Sequence, residues 1–223
     1  MFFDWWTPIK NLPLLLNGAL VSLWITVVVF ILSLILGTLV GFLRFNPSRT
    51  LIYGAATVYV EIIRNTPLLV QIFFIYFGLP QFNIYLPALF AGILGLTINT
   101  SAYVAEIIRS GIKSVPKGQW EAASCIALPQ TLVFWDIVLP QALRNVFPSL
   151  INQFIMILFA TSLLSVLDIK DLTQRASILN SQNFRTVEIY VFAVIIYYVL
   201  ALACSAVLRY INNRFFPSIS QRG

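Results

Sequence analysis

Apolar residues run along this chain in five long blocks, about 18–43, 51–78, 86–111, 146–167 and 187–211, separated by short polar stretches. Each block is long enough to cross a bilayer as a tilted helix, which takes ~20 apolar residues. The pattern predicts an all-α membrane protein with five transmembrane helices. One stretch departs from it. Val115 to Val133 reads VPKGQWEAASCIALPQTLV, a polar island between apolar blocks, and Ile137-Val-Leu-Pro140 follows closely. A chain otherwise suited to lipid keeps such a segment in water for a partner.

Composition narrows the picture. Hydrophobic residues make up 59% and mean hydropathy is +0.88, which excludes an ordinary soluble domain. Charged residues are 10%, against about 25% in typical globular proteins. The absence of histidine removes His-based acid/base chemistry and His-ligated metal sites. Cys125 and Cys204 give neither a disulfide framework nor a CxxC metal spacing. No GxxxxGK[ST] loop occurs, so any use of ATP belongs to another chain. The start, MFFDWWTPIKNLPLL, lacks a basic n-region and a small-residue cleavage site and is not read as a signal peptide. Its Phe2, Phe3, Trp5 and Trp6 suit an interfacial anchor.

Basic residues set the expected sidedness. With the N-terminus outside, the cytoplasmic side carries nine: Arg44, Arg49, Arg109, Lys113, Lys117, Arg144, Arg209, Arg214 and Arg222. The outer side carries four, Lys10, Lys170, Arg175 and Arg185, leaving Arg64 within the membrane. The positive-inside rule then places the N-terminus outside, the C-terminus in the cytoplasm, and the polar island in the cytoplasm.

Ionisable residues within spans are costly and mark functional candidates. The second block holds Glu61 and Arg64, followed by Asn65-Thr-Pro67; the third holds Thr97-Ile-Asn99-Thr100-Ser101 at a similar depth. Pro67 removes a backbone donor and frees carbonyls to line a cavity. Two readings stand here. Glu61 and Arg64, three apart on one helix face, neutralise each other while Asn99 bonds a neighbouring helix. Alternatively they form a pocket for a zwitterion, with Arg64 on an α-carboxylate, Glu61 on an α-ammonium, and Asn99, Ser101 and Gln71 orienting both. Glu106 and Arg109 read as a structural salt bridge. Gly37 and Gly41 form a GxxxG pair that permits close helix approach, although that spacing also arises by chance.

Within the island, Lys117-Gly-Gln-Trp-Glu-Ala-Ala-Ser has the composition of a short helix. Ala122 and Ala123 leave room for another surface, Trp120 offers a large contact, and Glu121 neutralises local donors and basic neighbours. From composition alone, a solvated loop with a modest helix is the competing reading. The ordered match Arg109-Ser-Gly-Ile-Lys-Ser-Val-Pro-Lys-Gly-Gln-Trp-Glu-Ala-Ala, then Val138-Leu-Pro-Gln-Ala-Leu-Arg144, resembles the EAA coupling loop of bacterial ATP-binding-cassette import permeases. Ile62-Ile-Arg-Asn-Thr-Pro-Leu-Leu-Val-Gln71, Asn99-Thr-Ser-Ala-Tyr-Val-Ala-Glu-Ile-Ile-Arg-Ser-Gly111 and Thr161-Ser-Leu-Leu-Ser-Val are similar to hallmarks of the polar amino-acid branch, the histidine/glutamine/glutamate-type importers.

That resemblance implies a type I ABC importer permease fold: residues 1–223 as a single transmembrane domain, with a cytoplasmic coupling helix within about 115–133. It implies a multi-pass protein of the bacterial cytoplasmic (inner) membrane, working as a dimer with a second permease, either the same or a homologous chain. The other partners implied are two ATP-binding subunits and an extracytoplasmic amino-acid-binding protein; no nucleic acid is expected. The chain itself would hold no cofactor or metal, and ATP with Mg would be used by the partner ATPase. The chain would be a transport subunit and not an enzyme. A stand-alone channel or secondary transporter for small polar solutes is the alternative, for which neither ion-coupling residues nor an internal repeat is found. Carried onto this chain, the substrate-binding residues are Glu61, Arg64, Gln71, Asn99, Ser101, Gln153 and Thr161. The ATPase-coupling residues are Lys117, Gly118, Trp120, Glu121, Ala122, Ala123 and Ala127.

Two departures from the family pattern carry weight. Where many relatives read Asn-Glu-Phe-Ile and then Leu-Lys-Asp-Thr-Ser, this chain has Asn152-Gln153-Phe154-Ile155 and Leu158-Phe159-Ala160-Thr161-Ser162. Loss of both carboxylates argues for acidic or neutral polar amino acids over cationic ones. The family glycine six residues after the motif glutamate is Ala127 here. Alanine fits if the backbone stays helical or the turn shifts towards Pro129.

Overall fold

The structure, a computed structural model, describes residues 4–44 and 50–215; Phe2, Phe3, Arg49 and Arg222 lie outside them. Every regular element among the described residues is helical. In chain order these are α1 (Trp6–Lys10), α2 (Leu12–Leu43), α3 (Thr50–Arg64), α4 (Leu68–Phe73) and α5 (Ala88–Lys113). They continue with α6 (Lys117–Cys125), α7 (Gln130–Leu132), α8 (Leu139–Ala160), α9 (Leu172–Asn183) and α10 (Thr186–Phe215). Wider π-helical turns occupy Phe74–Gly78 and Val133–Val138, and tighter 3₁₀ turns Leu79–Phe82 and Thr161–Leu167.

Four stretches are long and apolar enough to cross a membrane: Leu12–Leu43, Ala88–Lys113, Gln130–Leu167 and Thr186–Phe215. A fifth results when Leu51–Arg64 and Leu68–Phe82 are taken together. The second apolar block is therefore not the continuous helix expected over 51–78. Pro67 is extended (φ −65°, ψ 132°), and the residue before a proline is driven out of the helical region. α4 then restarts on the Pro67 carbonyl, which accepts from the amides of Val70 and Gln71 at 3.1 and 3.2 Å. The fourth span also begins earlier than 146. Helical turns run without a break from Gln130, and the wider π-helical turn Val133–Val138 lies just before Pro140, which has no backbone donor to give.

The chain divides into two compact units: Met1–Leu32, Thr66–Ile98 and Phe154–Val207 form the first, and Ser33–Asn65, Asn99–Gln153 and Leu208–Gly223 the second. In the first, α9 packs through Leu172, Ala176 and Leu179 onto Leu15 and Ala19 of α2 and Ile189 and Ala193 of α10. A Cβ at Gly18 would fall 2.9 Å from the Leu172 Cα and the Asp171 carbonyl, so this contact requires a residue without one. Asp171 caps α9, accepting from the Gln174 and Thr173 amides at 2.9 and 3.2 Å and from the Tyr197 hydroxyl at 3.2 Å.

In the second unit, the Gly37–Gly41 pair of α2 lies against α5. A Cβ at Gly37 would come within 2.6 Å of the Val104 Cβ and 2.7 Å of the Ser101 carbonyl; one at Gly41 would be 3.1 Å from the Ala105 carbonyl. Backbones approach closely through small residues because lipid supplies little hydrophobic drive between helices, so packing holds them. Gly111 does the same for α8, where an added Cβ would overlap the Val146 side chain. These approaches bring α3, α5 and α8 side chains around one polar opening.

Candidate substrate cavity and coupling surface

An open cavity of about 400 Å³ lies in the second unit. Arg64 from α3, Tyr103, Glu106 and Ser110 from α5, and Ser149 and Gln153 from α8 contribute to its wall. Ser114, at the end of α5, and Asn145 line it as well, and their side chains bond at 2.8 Å. Two residues expected from sequence, Arg64 and Gln153, thus meet in one cavity. Nearly all the rest of the wall escaped the sequence reading. The signal was present in the spacing Glu106, Ser110, Ser114 and Asn145, Ser149, Gln153, polar positions one helical turn apart on two apolar helices.

Of the two readings of Glu61 and Arg64, the one in which they neutralise each other does not hold. Arg64 stacks over the Tyr103 ring at 5.3 Å and pairs loosely with Glu106 at 3.9 Å. Glu61 is instead held by Asn65, just past the end of α3, which donates to its carboxylate at 3.2 Å and its carbonyl at 2.8 Å. Glu106 also pairs with Arg109 and, at 2.7 Å, with Arg44, whose side chain is 5% exposed. The Glu106–Arg109 pair expected as structural is therefore part of a larger cluster that reaches the cavity wall.

The other expected substrate residues sit elsewhere. Ser101 is buried, and its hydroxyl is 2.6 Å from that of Tyr59; Asn99 is also buried. Gln71 and Thr161 belong to the first unit. The Gln71 amide donates to the Thr66 hydroxyl at 2.7 Å, covering the helix break, and the buried Thr161 hydroxyl donates to the Leu158 carbonyl at 2.7 Å.

The polar island forms the short helix α6, opened by the extended Pro116. Lys117, Gly118, Glu121 and Ala122 are exposed. Ala123, at 3% exposure, turns inward with Ile112, Val115, Val133, Val138 and Ala142, and Trp120 packs against that cluster. These two residues anchor the helix and do not extend its free face. Ala127 takes neither of the conformations expected for it: it is left-handed, with φ 54°. The Leu128 amide donates to the Ala123 carbonyl at 3.1 Å and the Ala127 amide to the Ser124 carbonyl at 3.0 Å. This is the paired closure of a Schellman motif, which usually takes glycine at the left-handed position.

Among known proteins, the model of the binding-protein-dependent transport system inner membrane component family matches residues 33–217, and the chain belongs to this family. It is a transport component of the inner membrane, not an enzyme, and the family does not favour a stand-alone channel. The chain is 36% identical to the glutamine transport system permease protein GlnP of Escherichia coli (strain K12) over 216 residues, 96% of this chain and 98% of the relative. It is 34% identical to the arginine transport system permease protein ArtQ of Bacillus subtilis (strain 168) over 203 residues, 91% and 92% of the two chains. A chain from a crystal structure of an amino acid ABC transporter with histidines superposes with a TM-score of 0.91 at 37% identity, covering 96% of this chain and 100% of that one. A chain of the MetNI methionine ABC transporter in an inward-facing conformation shares the fold, with a TM-score of 0.70 at 19% identity.

Proposed function

We propose that this chain is the permease subunit of an ATP-driven amino-acid importer, passing acidic or neutral polar amino acids. Its N-terminus faces outside and its C-terminus the cytoplasm, as the distribution of basic residues favours. The observation that carries the reading is the cavity shared by Arg64 and Gln153. A guanidinium offers a planar pair of donors to an α-carboxylate. The amide of Gln153 recognises a polar side chain without demanding positive charge. Glu61, Asn99, Ser101, Gln71 and Thr161 complete the proposed substrate-binding set, acting as substrate moves through the membrane.

The partners are two ATP-binding subunits, a second permease of the same or homologous sequence, and an extracytoplasmic amino-acid-binding protein. The exposed face of α6, with Lys117, Gly118, Glu121 and Ala122, docks on an ATP-binding subunit. Ala123, Trp120 and Ala127 hold that face in shape. ATP and Mg act on the partner, whose motion is transmitted through α6 to the helices around the cavity.

Uptake of labelled glutamine, glutamate and arginine into proteoliposomes holding the complex and its binding protein tests the reading. Saturable uptake of glutamine or glutamate, with KM raised in Arg64→Gln, is expected. Arginine as the preferred substrate would overturn the assigned class. ATP-independent leakage of all three would overturn the importer reading.

A further inference from the structure

The turn 168–171, between the fourth and fifth spans, lies deep along its neighbours. Asp171 accepts from the Tyr197 hydroxyl at 3.2 Å, and the Leu172 amide donates to the Ser22 hydroxyl at 3.2 Å. A Cβ added at Gly92 would meet the Ile169 Cδ1 at 3.2 Å. At 1.5 Å of rise per residue, Tyr197, Ser22 and Gly92 lie roughly 5, 8 and 13 Å to the outer side of the midpoints of α10, α2 and α5. Each is less than the ~15 Å half-thickness of the hydrocarbon core. Three helices thus put the turn below the outer surface, and the 12 residues of α9 carry the chain back up. Yet the turn bears two exposed charges. The Asp168 side chain is 71% exposed and that of Lys170 45%, the two pairing at 2.7 Å. Ionisable residues at this depth face the bundle interior or a water-filled cavity, and exposure of both leaves the cavity. Lipid belongs on the other side of α2. Leu20, two residues from Ser22 and so on the opposite face, is apolar and 65% exposed.

We infer that Asp168 and Lys170 line a water-filled entrance on the extracytoplasmic half of the transport path, which an amino acid passes on its way in. Tyr197 ties this entrance to the proposed substrate set, because its hydroxyl meets Thr161 as well as Asp171. The inference rests on the proposed import and its sidedness, and its test separates the two.

Cysteine labelling of the assembled transporter in right-side-out membrane vesicles is the test, with Cys125 and Cys204 replaced by serine. A membrane-impermeant, cationic methanethiosulfonate added outside reacts with thiolate, which forms in water and not in lipid. Asp168→Cys is expected to react about tenfold faster than Leu20→Cys, the control at the same level, and its labelling to lower glutamine uptake severalfold. Lys170→Cys supplies the same readout if Asp168→Cys does not assemble. Equally fast labelling of Leu20→Cys would place the turn above the membrane and overturn the inference. So would slow labelling at both turn positions, which would mean that lipid or protein covers them. Fast labelling that leaves uptake unchanged would put the water off the path and overturn it too. Absence of amino-acid uptake by the wild type would overturn the import reading, while the labelling contrast would still decide whether water reaches the turn.

Discussion

Replacing Ala127 by glycine should strengthen the coupling helix without adding a contact. Ala127 sits at φ 54°, where its Cβ crowds the following carbonyl oxygen. That conformation costs an L-residue about 1–2 kcal/mol. Glycine avoids the cost but loses more backbone entropy on ordering, about 0.5–1 kcal/mol. The net gain is about 0.5–1 kcal/mol, a two- to fivefold slowing of local opening. Ala127 is exposed, so lost side-chain packing contributes little. Hydrogen exchange of the amides from Lys117 to Leu128, followed by mass spectrometry, reads the change. Ala127→Gly should exchange two- to fivefold more slowly than wild type. Ala127→Val, β-branched at positive φ, should exchange faster. An order other than glycine slowest and valine fastest would show that the left-handed closure does not limit the stability of α6.

Gly37→Ala should lower the thermal midpoint of the complex in detergent, because its Cβ would overlap the Val104 Cβ and the Ser101 carbonyl, an overpacking of about 1–3 kcal/mol. Gly54→Ala, with nothing within 4 Å of the added atom, is the matched control and should hold or raise the midpoint. Burial pushes the Asp171 carboxyl up to about 6 from 3.8, against the pull of its amide and hydroxyl partners. Its folded form keeps a proton that the unfolded chain has lost, so its contribution is full below about pH 3.8 and is lost as pH rises through about 6. Thermal melts across that window should fall with pH in wild type and flatten in Asp171→Asn, and an unchanged slope would remove Asp171 as the cause.

Much of the fold was legible because spans announce themselves by length and apolarity, and the family motifs lie in order along the chain. What sequence spacing could not supply was partner choice across helices. Glu61 and Arg64 share a face at i,i+3, yet Arg64 reaches to Glu106 on α5 while Asn65 holds Glu61. The same applies to Ala123 and Trp120. Beside an exposed Ala122 they read as docking surface, but one helical turn decides which side faces the core. Gly37 and Gly41 carried a pattern too common to trust until the Ser101 and Ala105 carbonyls were seen beside them. Pro67 was read as freeing carbonyls within one continuous apolar block, and its extended backbone breaks the helix outright.

The coupling of α6 to ATP hydrolysis is tested most directly by ATPase activity of the reconstituted complex with binding protein, comparing wild type with Glu121→Lys. Glu121 is exposed on α6, so the change reverses charge on the proposed docking face without entering the core. The expected result is hydrolysis stimulated by glutamine or glutamate in wild type, with the stimulation lost in Glu121→Lys while the permease remains folded. Equal stimulation in both would contradict the assignment of the exposed α6 face as the surface that couples transport to ATP.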